Sequence, residues 1–267
     1  MTNISSKNLI DIQKLLTPIA RNAGKLIMNN LNAKIEIKSD GTPVTIADKK
    51  ADEFIYNNLK SNFSNIPILS EERKIPAECY GDNLHWIIDP LDGTKSFIEG
   101  GEDFCVCISL VLNKTPILGC ISHPPTLDTW IGGKEIGTLK YCKDNTKKIF
   151  CRKIPNTGPV IAISRHHIGP KLKDWLSKIN HHQTKKIGSA LKFCLIAEGK
   201  ADLFPRTSET YEWDSAAGQA IIEGAGGQVL QMNNKPMIYG RRDKKNPNFI
   251  AYGQKYWTKF LKENDFD

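Results

Sequence analysis

No run of 18 apolar residues occurs in the 267-residue chain, so a membrane-spanning helix is not expected. The first residues, Met1-Thr-Asn-Ile-Ser-Ser-Lys, carry no apolar h-region, and a secretory signal is not expected either. Internal repeats and low-complexity segments are missing, which leaves an ordinary globular organisation. The seven cysteines, Cys79, Cys105, Cys107, Cys120, Cys142, Cys151 and Cys194, include no C-x-x-C pair. That absence argues against dedicated zinc or dithiol chemistry and favours a reducing cytoplasm. Cys105 and Cys107 fall on an alternating apolar run, where free cysteine serves as a small core residue.

What the chain has in excess is positive charge. Lysine and arginine number 37 against 29 acids, a formal net charge of +8. Such a surplus suits nucleic acid, an anionic membrane surface or a polyanionic small substrate. The basic residues are scattered, with short clusters at Lys147-Lys148, Lys185-Lys186 and Arg241–Lys245, so most read as solvated surface. Without a strongly basic amphipathic helix, only weak peripheral contact with the inner face of a membrane is expected, and no stable nucleic-acid partner. A monomer or a homodimer fits the length equally well.

Residues 6–31 space Leu9, Ile12, Leu16, Ile19, Ala20, Ala23, Leu26 and Ile27 as a helix, capped by Ser5 or Ser6 and kinked or divided at Pro18. Ala33 to Lys38 alternates as a short strand, and Thr45 to Lys60 reads as a second helix. Strands at 65–70, 84–88, 104–112, 115–123 and 127–132, with shorter ones to about 152, imply a mostly antiparallel sheet. From Val160 the pattern alternates: strand 160–164, helices 169–179 and 189–199, strand 201–204, helix 213–224, strand 227–231. Asn156-Thr-Gly-Pro159 is the expected boundary between an N-terminal part, 1–156, and a C-terminal α/β part, 157–267.

The densest chemistry lies at Trp86-Ile-Ile-Asp-Pro-Leu-Asp-Gly-Thr-Lys-Ser-Phe97. Three large apolar residues read as the end of a buried strand. Asp89 and Asp92 then flank Pro90, which is expected to hold a tight bend. Two acids so close repel unless one stays protonated or a hard cation such as Mg²⁺ joins them. Read alone, Asp-Pro-x-Asp-Gly is an exposed acidic turn. Other acids at element ends change that reading: Asp48 in the first turns of a helix, Glu71 after a strand, and Asp214 opening the helix near Trp213. An Asp at a helix start is by itself a cap or a dipole partner. The whole set is more restrictive. Asp89-x-x-Asp92 also differs from the Asp-x-Asp-Gly-Thr of phosphatases that form an aspartyl-phosphate, because Pro90 stands two positions before Asp92.

With Leu69-Ser-Glu-Glu72, Asp89-Pro-Leu-Asp-Gly-Thr-Lys95 and Glu212-Trp-Asp-Ser-Ala-Ala-Gly218, the chain resembles the lithium-sensitive, Mg²⁺-dependent phosphatase superfamily. That superfamily includes inositol monophosphatase and fructose bisphosphatase. The likeness runs from Ala20-Arg-Asn-Ala-Gly24 to Asn246-Pro-Asn248. Ile163–His167, Gly188–Gly199 and Leu203-Phe-Pro-Arg206 are similar to its CysQ-type 3′(2′),5′-bisphosphate nucleotidase branch. The resemblance implies an α+β, layered αβαβα sandwich. It assigns Glu71, Asp89, the Leu91 carbonyl, Asp92 and Asp214 to two or three Mg²⁺ ions, in keeping with an oxygen-only donor set. Glu71 and Asp89 would share the ion that activates water, while Asp89, Asp92 and Asp214 would hold the ion facing the leaving group. Thr94, oriented by Asp48, would stand beside the nucleophile, so Glu71, Thr94 and Asp48 are the expected catalytic residues. Glu72 stays outside the metal shell.

For the substrate, the resemblance points to Leu91, Asp92, Gly93, Thr94, His167, Ser189, Lys192, Arg206 and Asp214. Gly93 and Thr94 begin a turn whose backbone N–H groups can receive phosphate oxygens. Ser189 and Lys192 lie one helical turn apart, and Arg206 offers a planar fork for phosphate. Taken singly, Ser189 is a helix cap, Lys192 a solvated side chain and His167 a surface histidine beside an equally available His166. Ser96 stands where the branch usually carries Glu, outside the metal shell. The implied activity is removal of the 3′-phosphate from adenosine 3′,5′-bisphosphate to give AMP, with 3′-phosphoadenylyl sulfate a second candidate. Alternatives are an inositol monophosphatase or sugar bisphosphatase on the same metals, or a non-catalytic nucleotide- or RNA-binding protein.

Overall fold

The computed structural model describes residues 4–254, apart from 32–33, 39–40, 42, 144, 154, 166–167 and 180. His166 and His167 therefore lie outside the described residues. Fourteen strands and six helices are described, together with a short 3₁₀ turn at Ala77–Cys79.

Helix α1 runs from Ser6 to Met28 with Ser5 as its cap, accepting from the Asn8 N–H at 3.3 Å. Pro18 does not divide it. A proline inside a helix costs about 3 kcal/mol. Burying Leu9, Leu16, Ile19 and Ile27 offsets that cost, at about 1.5–3 kcal/mol per large side chain. After the small hairpin β1 (Ile35–Ile37) and β2 (Pro43–Thr45), helix α2 spans Ile46–Asn62.

Seven strands form the larger sheet: β3 (Ile68–Ser70), β4 (His85–Asp92), β5 (Cys105–Leu112), β6 (Thr115–His123), β7 (Asp128–Gly133), β8 (Gly137–Tyr141) and β9 (Thr146–Ile149). They lie in chain order, with short α3 (Thr94–Ile98) between β4 and β5. Only β3–β4 is parallel; every other pair is antiparallel. The smaller sheet has the order β11-β10-β12-β14-β13. Its strands are β10 (Val160–Ile163), β11 (Gln183–Lys186), β12 (Leu203–Arg206), β13 (Gln228–Gln231) and β14 (Phe249–Tyr252), and its helices are α4 (Pro170–Lys178), α5 (Leu191–Ala197) and α6 (Glu212–Gly224). β11 escapes sequence reading because all four of its residues are polar and exposed on a sheet edge.

Three buried clusters divide the layers. Leu16, Ala20 and Ile55 of α1 and α2 pack with Trp86, Ile88, Val106, Ile108 and Leu110 on one face of the large sheet. The alternate residues Ile87, Cys105, Cys107 and Val111 face α5, α6 and the inner side of the small sheet. Ile161, Ile163, Leu203 and Ile250 on the outer side of that sheet cover Leu172 and Trp175 of α4. The order is helices, sheet, helices, sheet, helix: the αβαβα sandwich. Because both faces of β4 and β5 are buried, Trp86–Ile88 of β4 and nearly all of β5 read as apolar runs without polar alternation. Gly119 of β6 lets α6 lie on the sheet, since a Cβ there would come within 2.2 Å of the Ala217 carbonyl oxygen. That close approach brings the start of α6 to the ends of β3 and β4.

Candidate active site

Residues 89–92 are not the tight bend expected from Pro90. β4 continues through Asp92, and its register against β5 slips between Asp89↔Cys107 and Asp92↔Cys105. Three steps on β4 oppose two on β5, which is a β-bulge. Proline suits a bulge because it has no ladder N–H to lose. The bulge brings Leu91 N–H onto Asp89 Oδ1 at 3.0 Å, fixing that carboxylate. The turn comes at Gly93 instead, with φ +96° and a would-be Cβ 2.5 Å from the Asp103 carbonyl oxygen. Only glycine meets both demands. Parallel β3 ends beside β4, and Glu71 N–H extends the ladder to Ile88 O at 3.2 Å.

Two acids start helices in the same manner. Asp48, the third residue of α2, accepts from the Thr45 N–H at 2.8 Å and the Thr45 hydroxyl at 2.5 Å through Oδ2. Its Oδ1 lies 3.2 Å from the Thr94 hydroxyl. Capping and site chemistry thus use different oxygens of one carboxylate. Thr94 Oγ1 is also 3.0 Å from Leu91 O, and its single proton can be donated to only one of these acceptors. Asp214, third in α6, accepts from the Tyr211 N–H at 2.7 Å. Glu212 anchors the same helix start, since its buried carboxylate accepts from the Gly240 and Arg241 N–H groups at 3.1 and 2.8 Å.

Asp89, Asp92 and Asp214 each place one oxygen so that all three lie within 4.8 Å of one another. Burial, and then the neighbouring carboxylates Glu71, Asp92 and Asp214, push Asp89 well above the usual carboxylate range. Burial likewise raises Asp92, against the pull of Lys192, and lifts Asp214 to about 8 with help from Asp92. Glu71 is raised by burial although Lys38 opposes the shift. Such crowding is unfavourable without a cation and is relieved by one, so the oxygen-only donor set fits a hard divalent ion.

Lys38 and Glu72 escape sequence reading as site residues. Lys38 Nζ bonds Glu71 Oε1 at 2.8 Å and Glu72 Oε1 at 2.6 Å, an ammonium set against the acids. Burial lowers the Lys38 ammonium, but Glu71 and Glu72 outweigh it and raise the group overall. Glu72 is pushed up to about 7, chiefly by burial. The only sequence signal for Lys38 is its place at the end of a short strand next to turn residues.

A cavity of about 430 Å³ joins this acid cluster to a cationic wall. Glu71, Asp92, Gly93, Thr94 and Asp214 line it together with Ser189, Lys192 and Arg206, and the Ala190 N–H, next to Ser189, donates to Asp92 Oδ2. Tyr211 and Trp213 stack at its side, ring centroids 4.8 Å apart. Ser189 does not lie on a helix with Lys192, as the spacing had suggested. It precedes α5 in the left-handed region, φ +52°, and Lys192 reaches back to Ser189 O at 2.6 Å. Burial, opposed by Asp92 and reinforced by Arg206, pulls the Lys192 ammonium down to about 8. Arg206 Nη1 donates to Ser164 Oγ at 2.9 Å, while its buried Nε has no partner among the described residues. Arg165, absent from the sequence reading, lines the cavity and pairs with Asp103 at 2.6 Å. Ser96 Oγ accepts the Asp103 N–H at 3.2 Å, holding the loop that carries that partner.

The site therefore gathers Asp48, Glu71, Asp89, Leu91, Asp92, Gly93, Thr94, Ser189, Lys192, Arg206 and Asp214. The chain is 38% identical over 237 residues to the 3′(2′),5′-bisphosphate nucleotidase CysQ of Escherichia coli (strain K12), covering 86% of this chain and 95% of that protein. It is 41% identical over 216 residues to the CysQ of Buchnera aphidicola, with 79% of this chain and 81% of the relative covered. The crystal structure of CysQ from Bacteroides thetaiotaomicron superposes with a TM-score of 0.81 at 32% identity, over 92% of this chain and 98% of that one. The Thermotoga maritima IMPase shares the fold, with a TM-score of 0.79 at 24% identity over 96% and 97% of the two chains. Residues 9–263 match the inositol monophosphatase family, and the chain belongs to that family.

Proposed function

We propose that the chain is a Mg²⁺-dependent 3′(2′),5′-bisphosphate nucleotidase that removes the 3′-phosphate of adenosine 3′,5′-bisphosphate, with 3′-phosphoadenylyl sulfate as a second substrate. The observation that carries this reading is one cavity lined both by crowded carboxylates and by two cations, buried Lys192 and half-buried Arg206. A simple monophosphate needs only the carboxylate set. A bisphosphate uses both. The relatives named CysQ point to the same substrate class.

Glu71, Asp89, Asp92, Asp214 and the Leu91 carbonyl would hold two or three Mg²⁺ ions. Bound there, Mg²⁺ neutralises phosphate charge and lowers the pKa of the attacking water. The chain's own groups then divide the remaining work. Asp48 Oδ1, with Oδ2 committed to the helix cap, accepts the Thr94 hydroxyl proton and turns the Thr94 lone pairs toward the attacking water. Gly93, with no Cβ, allows the phosphate to approach the backbone. Lys192 and Arg206 bind the second phosphate, Arg206 with a donor still unused. Tyr211 and Trp213 offer an aromatic wall for the base.

The substrate contacts assigned to His167 concern a residue outside the described ones and stay part of this proposal. So do a reducing cytoplasmic setting, weak peripheral membrane contact and a monomeric or homodimeric state. No helix among the described residues is long and apolar enough to cross a membrane.

The test compares phosphate release from adenosine 3′,5′-bisphosphate, inositol 1-phosphate and fructose 1,6-bisphosphate, with Mg²⁺ and after chelation. The expected result is Mg²⁺-dependent turnover with kcat/KM highest for the nucleotide. A preference for inositol 1-phosphate or the sugar bisphosphate would move the chain to another branch of the family, and release from none would indicate a binding protein.

A further inference from the structure

Opposite the bulge, β5 presents two thiols to the acid cluster. Register pairs Asp92 with Cys105 and Asp89 with Cys107, and both cysteines point to the same face of the sheet. Cys105 Sγ lies 3.7 Å from Asp92 Oδ2 and 3.7 Å from Cys107 Sγ. The three donor atoms lie within 4.8 Å of one another. Ser189 Oγ stands 3.6 Å from Cys105 Sγ on the side where Ser189 and Asp92 line the cavity.

These separations match one coordination geometry. With zinc–sulfur bonds of about 2.3 Å, two sulfurs of a tetrahedral site lie about 3.8 Å apart, and a sulfur and an oxygen about 3.5 Å apart. The Cys105–Cys107 and Cys105–Asp92 separations already stand at nearly these edges, and the Cys107–Asp92 separation lies within 4.8 Å. No other cysteine pair shares such a three-donor cluster among the described residues. A packing role alone requires only that Cys105 and Cys107 be small and apolar; it does not require both sulfurs beside Asp92.

We propose that Cys105, Cys107 and Asp92 form a second cation site, selective for thiophilic ions such as Zn²⁺ and Cd²⁺, whose occupation shuts down the Mg²⁺ site. Hard Mg²⁺ prefers oxygen donors, whereas thiolates select softer metals. On binding, both thiol protons pass to water and the dication is held by two thiolates and one carboxylate, with no redox step. Asp92 is the shared residue. A thiophilic ion on Asp92 withdraws negative charge from the acid cluster and places a second dication against the Mg²⁺ position. Occupation of the two sites is therefore mutually exclusive or strongly antagonistic. The inference rests on the proposed metal role of Asp92, but the thiol site can be read without any substrate.

The experiment titrates reduced, metal-stripped full-length chain with Cd²⁺ and follows thiolate-to-cadmium charge-transfer absorption in the ultraviolet. Wild type is expected to take up one tight equivalent with two-thiolate intensity. Cys107→Val, which keeps the side chain small and apolar, should weaken that binding by at least the roughly 10- to 100-fold that loss of even an outer-shell partner costs. Cys142→Ser, remote and partly exposed, should leave it unchanged. Saturating Mg²⁺ should displace Cd²⁺. Zn²⁺ should inhibit Mg²⁺-supported phosphate release at a concentration at least tenfold lower in wild type than in Cys107→Val. If Cys107→Val fails to fold, Cys105→Ser carries the same comparison. An undiminished band in the cysteine variants, or Cd²⁺ binding indifferent to Mg²⁺, would overturn the proposal. The band appearing in a chain that releases no phosphate would leave this site standing while refuting the proposed activity.

Discussion

In the acid cluster of the cavity, Glu71, Asp89, Asp92 and Asp214 sit at strand ends and a helix start with more negative charge than their surroundings neutralise. In the cationic wall Lys192 is buried and Arg206 half-buried, yet Lys192 spends its protons on the Ser189 and Ile187 carbonyls and Arg206 on Ser164 and the Glu209 carbonyl. The acid cluster is raised in pKa by burial first and then by like charges, and the cationic wall is lowered by burial. Each set partly compensates the other through the attractions Asp92–Lys192 and Asp214–Arg206. The difference is that carboxylates need a cation from outside, whereas the cations are anchored by the chain itself and remain free to attract an anion. One set is built to take metal and the other to take phosphate.

Four substitutions would break or sharpen that contrast. Asp92→Asn should do most, lowering kcat by about three orders of magnitude, the equivalent of several kcal/mol of lost metal stabilisation. The same change removes one of the crowded charges, so the metal-free protein should melt no lower than wild type while Mg²⁺ raises its Tm less. Thermal melts with and without Mg²⁺ check both halves; near-normal turnover would sink the metal assignment. Thr94→Val should cost about a hundredfold in kcat, the scale of a positioned proton-transfer group, with little change in KM. Arg206→Ala should reduce kcat/KM about tenfold or more for the bisphosphate nucleotide and markedly less for a simple monophosphate. Equal losses on both substrates would show that the cationic wall does not read the second phosphate. Ser164→Ala should be the mildest, loosening Arg206 by one hydrogen bond and raising KM for the bisphosphate a few-fold, since such a bond contributes about 1 kcal/mol.

Much of the acid cluster was legible in the sequence because its geometry is local. Two residues separate Asp89 from Asp92, Gly93 follows, and the Thr45–Asp48 spacing is that of a capping box. Even there, the bulge at Pro90 was read as a turn, because a proline between two acids suits both and only the β5 partner distinguishes them. The cationic wall was legible through resemblance rather than physics, since Lys192 taken alone is a solvated lysine. The exposure of Lys192 is 4%, a value no local pattern announces. Lys38 and Arg165 went unassigned for the same reason, and Glu72 was set outside the metal shell without its Lys38 contact: their partners come from distant segments, up to 62 residues apart for Arg165 and Asp103.

The sequence by itself determined the apolar runs of the central strands of the larger sheet, the helix starts that carry Asp48 and Asp214, and the oxygen-only character of the acid set. These follow from steric and hydrogen-bonding preferences acting over a few residues. Only the tertiary structure decided that Asp214 meets Asp89 and Asp92, through the close packing of α6 over Gly119. It also decided that Lys192 and Arg206 share one cavity with those acids. Strand register alone set Cys105 and Cys107 beside the acids, because a slip of one residue on β5 would have turned both thiols to the opposite face.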